Sequence, residues 1–147
     1  MKEIIKQAQN MCDNTNDKLS LLSNITALLN QNIKDINWVG FYLYKDGQLH
    51  LGPFQGKVAC TLIDIGKGVC GTSFEKKMLL NIKNVHEFVG HIACDQDTNS
   101  EIVIPLIYKT KRFGVLDIDS ISYSRFATED EILLEQIGKI VSEYLAQ

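Results

Sequence analysis

Ile36-Asn37-Trp38-Val39-Gly40-Phe41-Tyr42-Leu43-Tyr44-Lys45-Asp46-Gly47-Gln48-Leu49-His50-Leu51 is the stretch in which the chain changes its period. Ile36 to Tyr44 is dense in β-branched and aromatic residues, which fit a pleated surface better than a helix. Lys45-Asp46-Gly47 follows, and an Asp-Gly pair tolerates the positive backbone angles of a tight hairpin turn. Gln48 to Leu51 therefore returns as a second strand, which Gly52-Pro53 ends. Upstream the pattern is helical, over residues 2–11 and 17–31. In the second helix Leu19, Leu22, Ile25 or Thr26, and Leu29 fall on one face. Thr15 or Asn16 is placed to cap it, and Asp17 falls in the first turn, where negative charge is favoured.

Downstream, a loop containing Gly56 leads to a short third strand, Cys60 to Ile63. Gly66-Lys67-Gly68 turns the chain into a short helix around Val69 to Lys77, and Met78 to Ile82 reads as another strand, closed by Asn84. His86 to Ser100 has few apolar residues and is the longest irregular stretch. Glu101 to Tyr108 and Phe113 to Ile118 form the next pair of strands, joined across Lys109-Thr110-Lys111-Arg112. Thr128 caps a C-terminal helix reaching about residue 146, with Glu131 completing a capping box. Ile132, Leu133, Gln136, Ile137, Ile140, Val141 and Tyr144 mostly share its inner face. Helices at the two ends around a largely antiparallel sheet define an α+β architecture.

The chain has 147 residues, which is one domain's worth and enough for a single substantial core. Its 45% hydrophobic and 22% charged residues are ordinary for a globular protein, which argues against disorder. A net charge of -3, without a Lys/Arg run beyond Lys76-Lys77 and Lys111-Arg112, argues against nucleic acid as a partner. No apolar stretch approaches the roughly 20 residues that cross a bilayer, so no membrane partner is expected. Met1-Lys2-Glu3-Ile4-Ile5-Lys6 lacks an apolar signal region, which makes the cytoplasm the expected location. Thiols stay reduced there, so the cysteines read as buried, metal-binding or catalytic rather than as staples.

Gly90-His91-Ile92-Ala93-Cys94-Asp95-Gln96-Asp97-Thr98-Asn99-Ser100-Glu101 gathers a thiol, an imidazole and three acids directly ahead of an apolar run. Cys60 and Cys70 lie upstream at the edges of Gly-rich turns, and Cys12 is most simply a small buried hydrophobe. Cys70 sits near a helix N-terminus, whose dipole favours thiolate. Three small buried hydrophobes are the plain alternative for Cys60, Cys70 and Cys94; disulfide reach requires the loops to fold over one sheet edge. Zinc held by Cys60, Cys70, Cys94 and His91 is disfavoured, because the close C-x₂₋₄-C pairing of structural zinc sites is missing. Asp117 and Asp119 share one side of their strand, and Glu101 opens its neighbour. Converging, they would have raised proton affinity, suited to donating a proton or holding an ammonium group; otherwise they are strand-end carboxylates facing water. Trp38 and Tyr42 share a strand face and serve either the core or an apolar pocket wall.

Gly66-Lys67-Gly68-Val69-Cys70-Gly71-Thr72, Gly90 to Asp95, Asn99 to Leu106, Gly114-Val115-Leu116-Asp117-Ile118-Asp119-Ser120 and Asn37 to Tyr42 closely resemble the free methionine-R-sulfoxide reductases of the GAF superfamily. The resemblance runs from about Trp38 to the last helix. It implies a single GAF-like catalytic domain over residues 1–147, with a central antiparallel sheet of about six strands and the terminal helices on one side. It also implies reduction of free L-methionine-(R)-sulfoxide through a cysteine sulfenic acid and an intramolecular disulfide. No bound cofactor or metal is implied; electrons would come from thioredoxin, thioredoxin reductase and NADPH. By the same resemblance Cys94 is the nucleophile, Cys60 the preferred resolving partner and Cys70 the second candidate. Glu101, Asp117 and Asp119 would hold the sulfoxide oxygen and the substrate amino group, with Trp38 and Tyr42 around the thioether end. Substrate and thioredoxin are the expected partners, and a homodimer stays open. Two rivals remain at this level: a GAF module sensing a ligand or redox state without turnover, and a peroxide-scavenging thiol protein.

Overall fold

The computed structural model describes residues 1–92 and 94–147; Ala93, within the quoted polar stretch, lies outside the described residues. Helices α1 (Lys2–Asp13) and α2 (Lys18–Asn32) precede strands β1 (Trp38–Lys45), β2 (Gln48–Gly56) and β3 (Leu62–Asp64). Helix α3 (Gly68–Lys76), β4 (Leu80–Ile82), a 3₁₀ turn at Val85–Glu87, β5 (Ser100–Tyr108), β6 (Lys111–Ser120) and α4 (Thr128–Leu145) complete the chain. The strands form one six-stranded sheet in the order β3-β2-β1-β6-β5-β4, with every neighbouring pair antiparallel. This is the α+β architecture expected from the sequence. Among the described residues no helix is long and apolar enough to cross a membrane.

Strand alternation divides the sheet into two faces. Val39 and Phe41 of β1, Ile102, Ile104 and Leu106 of β5, and Leu116 and Ile118 of β6 pack under α2 and α4, contributed mainly by Leu21, Ile25, Leu29, Leu134, Ile137 and Val141. Each such side chain, withdrawn fully from water, is worth about 1.5–3 kcal/mol, which makes this face the main source of stability. The opposite phase places Trp38, Tyr42, Val103 and Val115 against Val69, Cys70 and Phe74 of α3. Glu101, Asp117 and Asp119 fall in that second phase, so the sequence sends three acids to the same face as the short helix.

Several boundaries differ from the sequence reading. Strand β2 does not end at Gly52-Pro53 but runs to Gly56, because a bulge opposite Gly40–Tyr42 absorbs the pair. Only Gln48–His50 pair with β3, so Pro53 lies where that edge is open and its missing N–H breaks no ladder. The third strand begins at Leu62, which leaves Cys60 in the preceding loop, and β4 begins at Leu80 rather than Met78. Asp17 itself caps α2, its carboxylate accepting from Ser20 N at 3.1 Å; in α2, Leu19 faces solvent while Leu21 and Leu28 are buried. The four-residue link between the last strands shrinks to Lys109-Thr110, because Lys109 takes a positive φ of 57° and Tyr108 pairs with Lys111. Ala127, not Thr128, is the N-cap of α4; the Asp130 carboxylate accepts the return bond from Ala127 N (2.8 Å), while Glu131 accepts from Asn81. Ile132 and Gln136 fall outside the buried face of α4, which Leu134 and Leu145 join instead.

Gly114 has a strict steric requirement. At φ 150° an added Cβ would press on Tyr42 O and lie 2.9 Å from Leu43 Cα in β1. Gly114→Ala is therefore expected to cost about 2–4 kcal/mol of folding stability, read as a lowered denaturant midpoint. An unchanged midpoint would show that the two strands can part without penalty.

Candidate active site

The site is built outward from β1. Tyr42 OH donates to Cys60 O at 2.9 Å, and Trp38 Nε1–H donates to Lys57 O at 3.2 Å, so two aromatic residues hold the loop before β3. One residue earlier, Asn37 Nδ2 donates to Asp95 Oδ2 (2.9 Å) and Thr98 Oγ1 (3.0 Å), holding the segment that carries Cys94. Across the gap between these loops Cys60 and Cys94 form a disulfide with a Cα–Cα distance of 5.7 Å, ordinary for such a bond. Lys57 Nζ and Asp97 Oδ2, three residues before Cys60 and three after Cys94, pair at 2.6 Å across the same gap. This pair is largely exposed, so it contributes little to stability.

Beneath the disulfide, strand register converges the carboxyls. Glu101 stands opposite Asp119, Asp119 opposite Trp38, and Asp117 opposite both Gly40 and Val103. Glu101 is 6% and Asp117 5% exposed, so the reading of water-facing strand ends does not hold for them. Burial raises the proton affinity of all three well above the carboxylate norm. Charge adds to it: Asp117 acts on Glu101, Asp119 on Asp117, and Glu101 on Asp119. Asp117 Oδ1 and Asp119 Oδ1 are buried without a partner among the described residues.

Cys70 lies in the first turn of α3, yet its thiol is pushed up rather than down. Burial is the main cause, and the negative neighbours Asp117, Glu101 and Asp119 add to it, outweighing the half-charge of one helix end. Cys70 Sγ lies 4.0 Å from Glu101 Oε2 and stays outside the disulfide. His91 Nε2 is 3.9 Å from Glu101 Oε1, and burial, then the nearby His86, lowers its proton affinity. The Cys₃His zinc set is not assembled, since two of its thiols are tied to each other. A different group could hold a metal: donor atoms of Cys70, Glu101 and Asp117 lie within 4.8 Å of one another. Cys12 sits away from the site on α1; it is only half-buried, and burial followed by Asp13 pushes its thiol up to about 11.

Trp38 stacks on Tyr42 (centroids 5.9 Å, planes 20° apart) and on Phe54 (5.2 Å, 15°). Gly40 permits this, because a Cβ there would meet Phe54 Cβ and lie 2.8 Å from the Trp38 ring. Aromatic wall, carboxyls, Cys70 and His91 enclose a cavity of about 40 Å³, and of the bonded pair Cys94 lines it. At about 10–15 Å³ per water this holds a few waters, which suits part of a small polar solute and not a peptide chain. Thus the structure brings together every site residue named from sequence: Cys60, Cys70, Cys94, Glu101, Asp117, Asp119, Trp38 and Tyr42. Sequence reasoning missed the clip of Asn37, Lys57, Asp97 and Thr98. Its one signal, opposite charges three residues from each cysteine, acquires meaning only once the two loops are known to meet.

Fold and site together are those of a GAF domain bearing a cysteine pair over buried carboxyls, and residues 16–146 match the GAF domain family. The free methionine-R-sulfoxide reductase of Escherichia coli (strain K12) is 52% identical over 128 residues, covering 87% of this chain and 78% of that protein. Among solved structures, fRMsr of Staphylococcus aureus in complex with substrate is 46% identical with a TM-score of 0.92, covering 98% of this chain and 94% of that one. The free methionine-R-sulfoxide reductase of Neisseria meningitidis in complex with its substrate is 35% identical with a TM-score of 0.94, covering 99% and 87%. The chain belongs to the free methionine-R-sulfoxide reductases of the GAF domain family.

Proposed function

We propose that this chain, acting as one catalytic domain, reduces free methionine-(R)-sulfoxide to methionine by thiol chemistry at Cys94. The observation that carries this reading is a disulfide set over three buried carboxyls in one small cavity. In the reduced protein the Cys94 thiolate attacks the sulfoxide sulfur while a carboxyl, kept protonated by burial, passes its proton to the oxygen. The protonated oxygen then passes from the methionine sulfur to the Cys94 sulfur as the new sulfur–sulfur bond breaks, so that methionine leaves and Cys94 is left as a sulfenic acid. The Cys60 thiol then attacks the Cys94 sulfur, water departs and the disulfide closes; the two electrons that reduced the sulfoxide have come from two thiols. A dithiol protein of the thioredoxin kind, fed by thioredoxin reductase and NADPH, restores both thiols.

Glu101, which faces Cys70 and His91, is the proton donor in this reading. Asp117 and Asp119, with their unpartnered oxygens, receive the substrate ammonium group. Trp38 and Tyr42 wall the thioether methyl. So narrow a cavity favours a free amino acid over a methionine within a chain.

The test is thioredoxin-coupled NADPH oxidation with the free R sulfoxide, its S epimer and a peptide-bound sulfoxide side by side. Turnover of the free R form alone is the expected result. No turnover with any of them, from folded and reduced protein, would replace this reading with a ligand-sensing GAF module. Faster turnover of hydrogen peroxide would make it a peroxide scavenger. The division of labour has its own test: Cys60→Ser is expected to release one methionine per protein and then stall with thioredoxin. Sustained turnover in that variant would move the resolving role to Cys70.

A further inference from the structure

Cys70 is the buried thiol that the proposed reaction leaves unused. Its sulfur, one Glu101 oxygen and one Asp117 oxygen lie within 4.8 Å of one another, and His91 Nε2 is 3.9 Å from Glu101 Oε1. A sulfur beside two carboxylate oxygens makes a mixed set that zinc accepts and that the harder magnesium and calcium ions do not favour. With Zn–S about 2.3 Å and Zn–O about 2.0–2.2 Å, tetrahedral donors stand roughly 3.5 Å apart, so the group must contract by about 1 Å. A separate observation points to a cation. Asp117 is 5% exposed, lines the cavity, and its Oδ1 is buried with no partner among the described residues.

We propose that the pocket is also a Zn²⁺ site, with Cys70, Glu101 and Asp117 as ligands and a fourth position open to water, and that zinc and substrate exclude each other. The exclusion rests on the proposed reading of the pocket as the sulfoxide site; the metal binding does not. Zinc occupies the place of the substrate ammonium and takes up the carboxyls.

The experiment uses the full chain carrying Cys12→Ser with the Cys60–Cys94 disulfide intact, which leaves Cys70 as its single free thiol. Titration with Co²⁺ should give a near-ultraviolet sulfur-to-cobalt absorption that Zn²⁺ abolishes by displacement. Adding Cys70→Ser should remove the band, and Asp117→Asn or Glu101→Gln should weaken Zn²⁺ binding about tenfold or more with unchanged circular dichroism. No band, or affinity indifferent to both carboxyl variants while they remain folded, would overturn the site. In pre-reduced protein without added thiol, Zn²⁺ should raise the sulfoxide concentration for half-maximal methionine release without lowering the limiting rate. A protein that reduces sulfoxide yet shows no band refutes the zinc site alone. One that shows the band yet reduces no sulfoxide refutes the reductase reading alone.

Discussion

Cys94→Ser is expected to reduce methionine release to background, even in a single turnover with fully reduced protein. The reacting atom must be an anion with an accessible lone pair aimed into the cavity, and of the bonded pair it is Cys94 that lines it. A serine hydroxyl of the same shape stays protonated at neutral pH and is far less nucleophilic, so the step that forms the sulfur–sulfur bond fails. Cys70 does not substitute. It is 4% exposed, and burial with three neighbouring carboxyls holds its proton in place. Binding, by contrast, should survive, because the carboxyls and the aromatic wall are untouched. Isothermal titration with methionine sulfoxide would therefore report near-normal affinity beside absent chemistry. Undiminished turnover in Cys94→Ser would remove this cysteine from the mechanism.

Asp117→Asn and Glu101→Gln are expected to lower kcat about 10²–10⁴-fold, the usual worth of a placed proton donor or charge partner. Both should keep the fold, and Asp117→Asn should change its response to pH. In the unfolded chain Asp117 loses its proton near about pH 4. In the native protein burial, and then the Asp119 charge, raise that point well above it. Its contribution to stability is thus complete below about pH 4 and is lost as pH rises through the native value. Melting temperature in the wild type should fall on alkalinisation, and the asparagine variant, which has no proton to lose there, should show a flatter profile. Stability at pH 8 should be equal or higher in the variant while activity is lost, the trade expected of a strained catalytic group. Parallel melting profiles would show that Asp117 is not held protonated, and unchanged kinetics in both variants would remove the acidic cluster from catalysis.

Most of the architecture was legible because the chain switches period sharply at Ile36 and again at Thr128, and because Asp46-Gly47 marks its hairpin. What sequence could not reveal were effects settled by tertiary neighbours. Gly52-Pro53 reads as a strand end, but a bulge opposite Gly40–Tyr42 carries the strand through it. Asp17 reads as a first-turn charge, yet its carboxylate takes the cap because it reaches Ser20 N. Leu19 and Ile132 sit at apolar periodic positions and still face solvent, since no layer covers those flanks. At the site, alternation alone put Asp117 and Asp119 on one face. The depth of their burial depends on α3 and the two loops folding over them. Cys70 shows the limit most clearly: its helix end argues for a thiolate, and only the three-dimensional neighbourhood reverses the sign.

The carboxyls stand on β5 and β6, in the middle of the sheet, whereas Cys60 and Cys94 belong to connections outside any strand. The proposed proton donor and redox couple thus sit on parts of the molecule expected to differ in local unfolding energy. Amide hydrogens of β5 and β6 are expected to exchange more slowly than those flanking the cysteines, which hydrogen exchange would check. On the proposed mechanism, cycling between dithiol and disulfide would rearrange the roof over a stationary floor, and the carboxyls would meet each new sulfoxide in the same geometry.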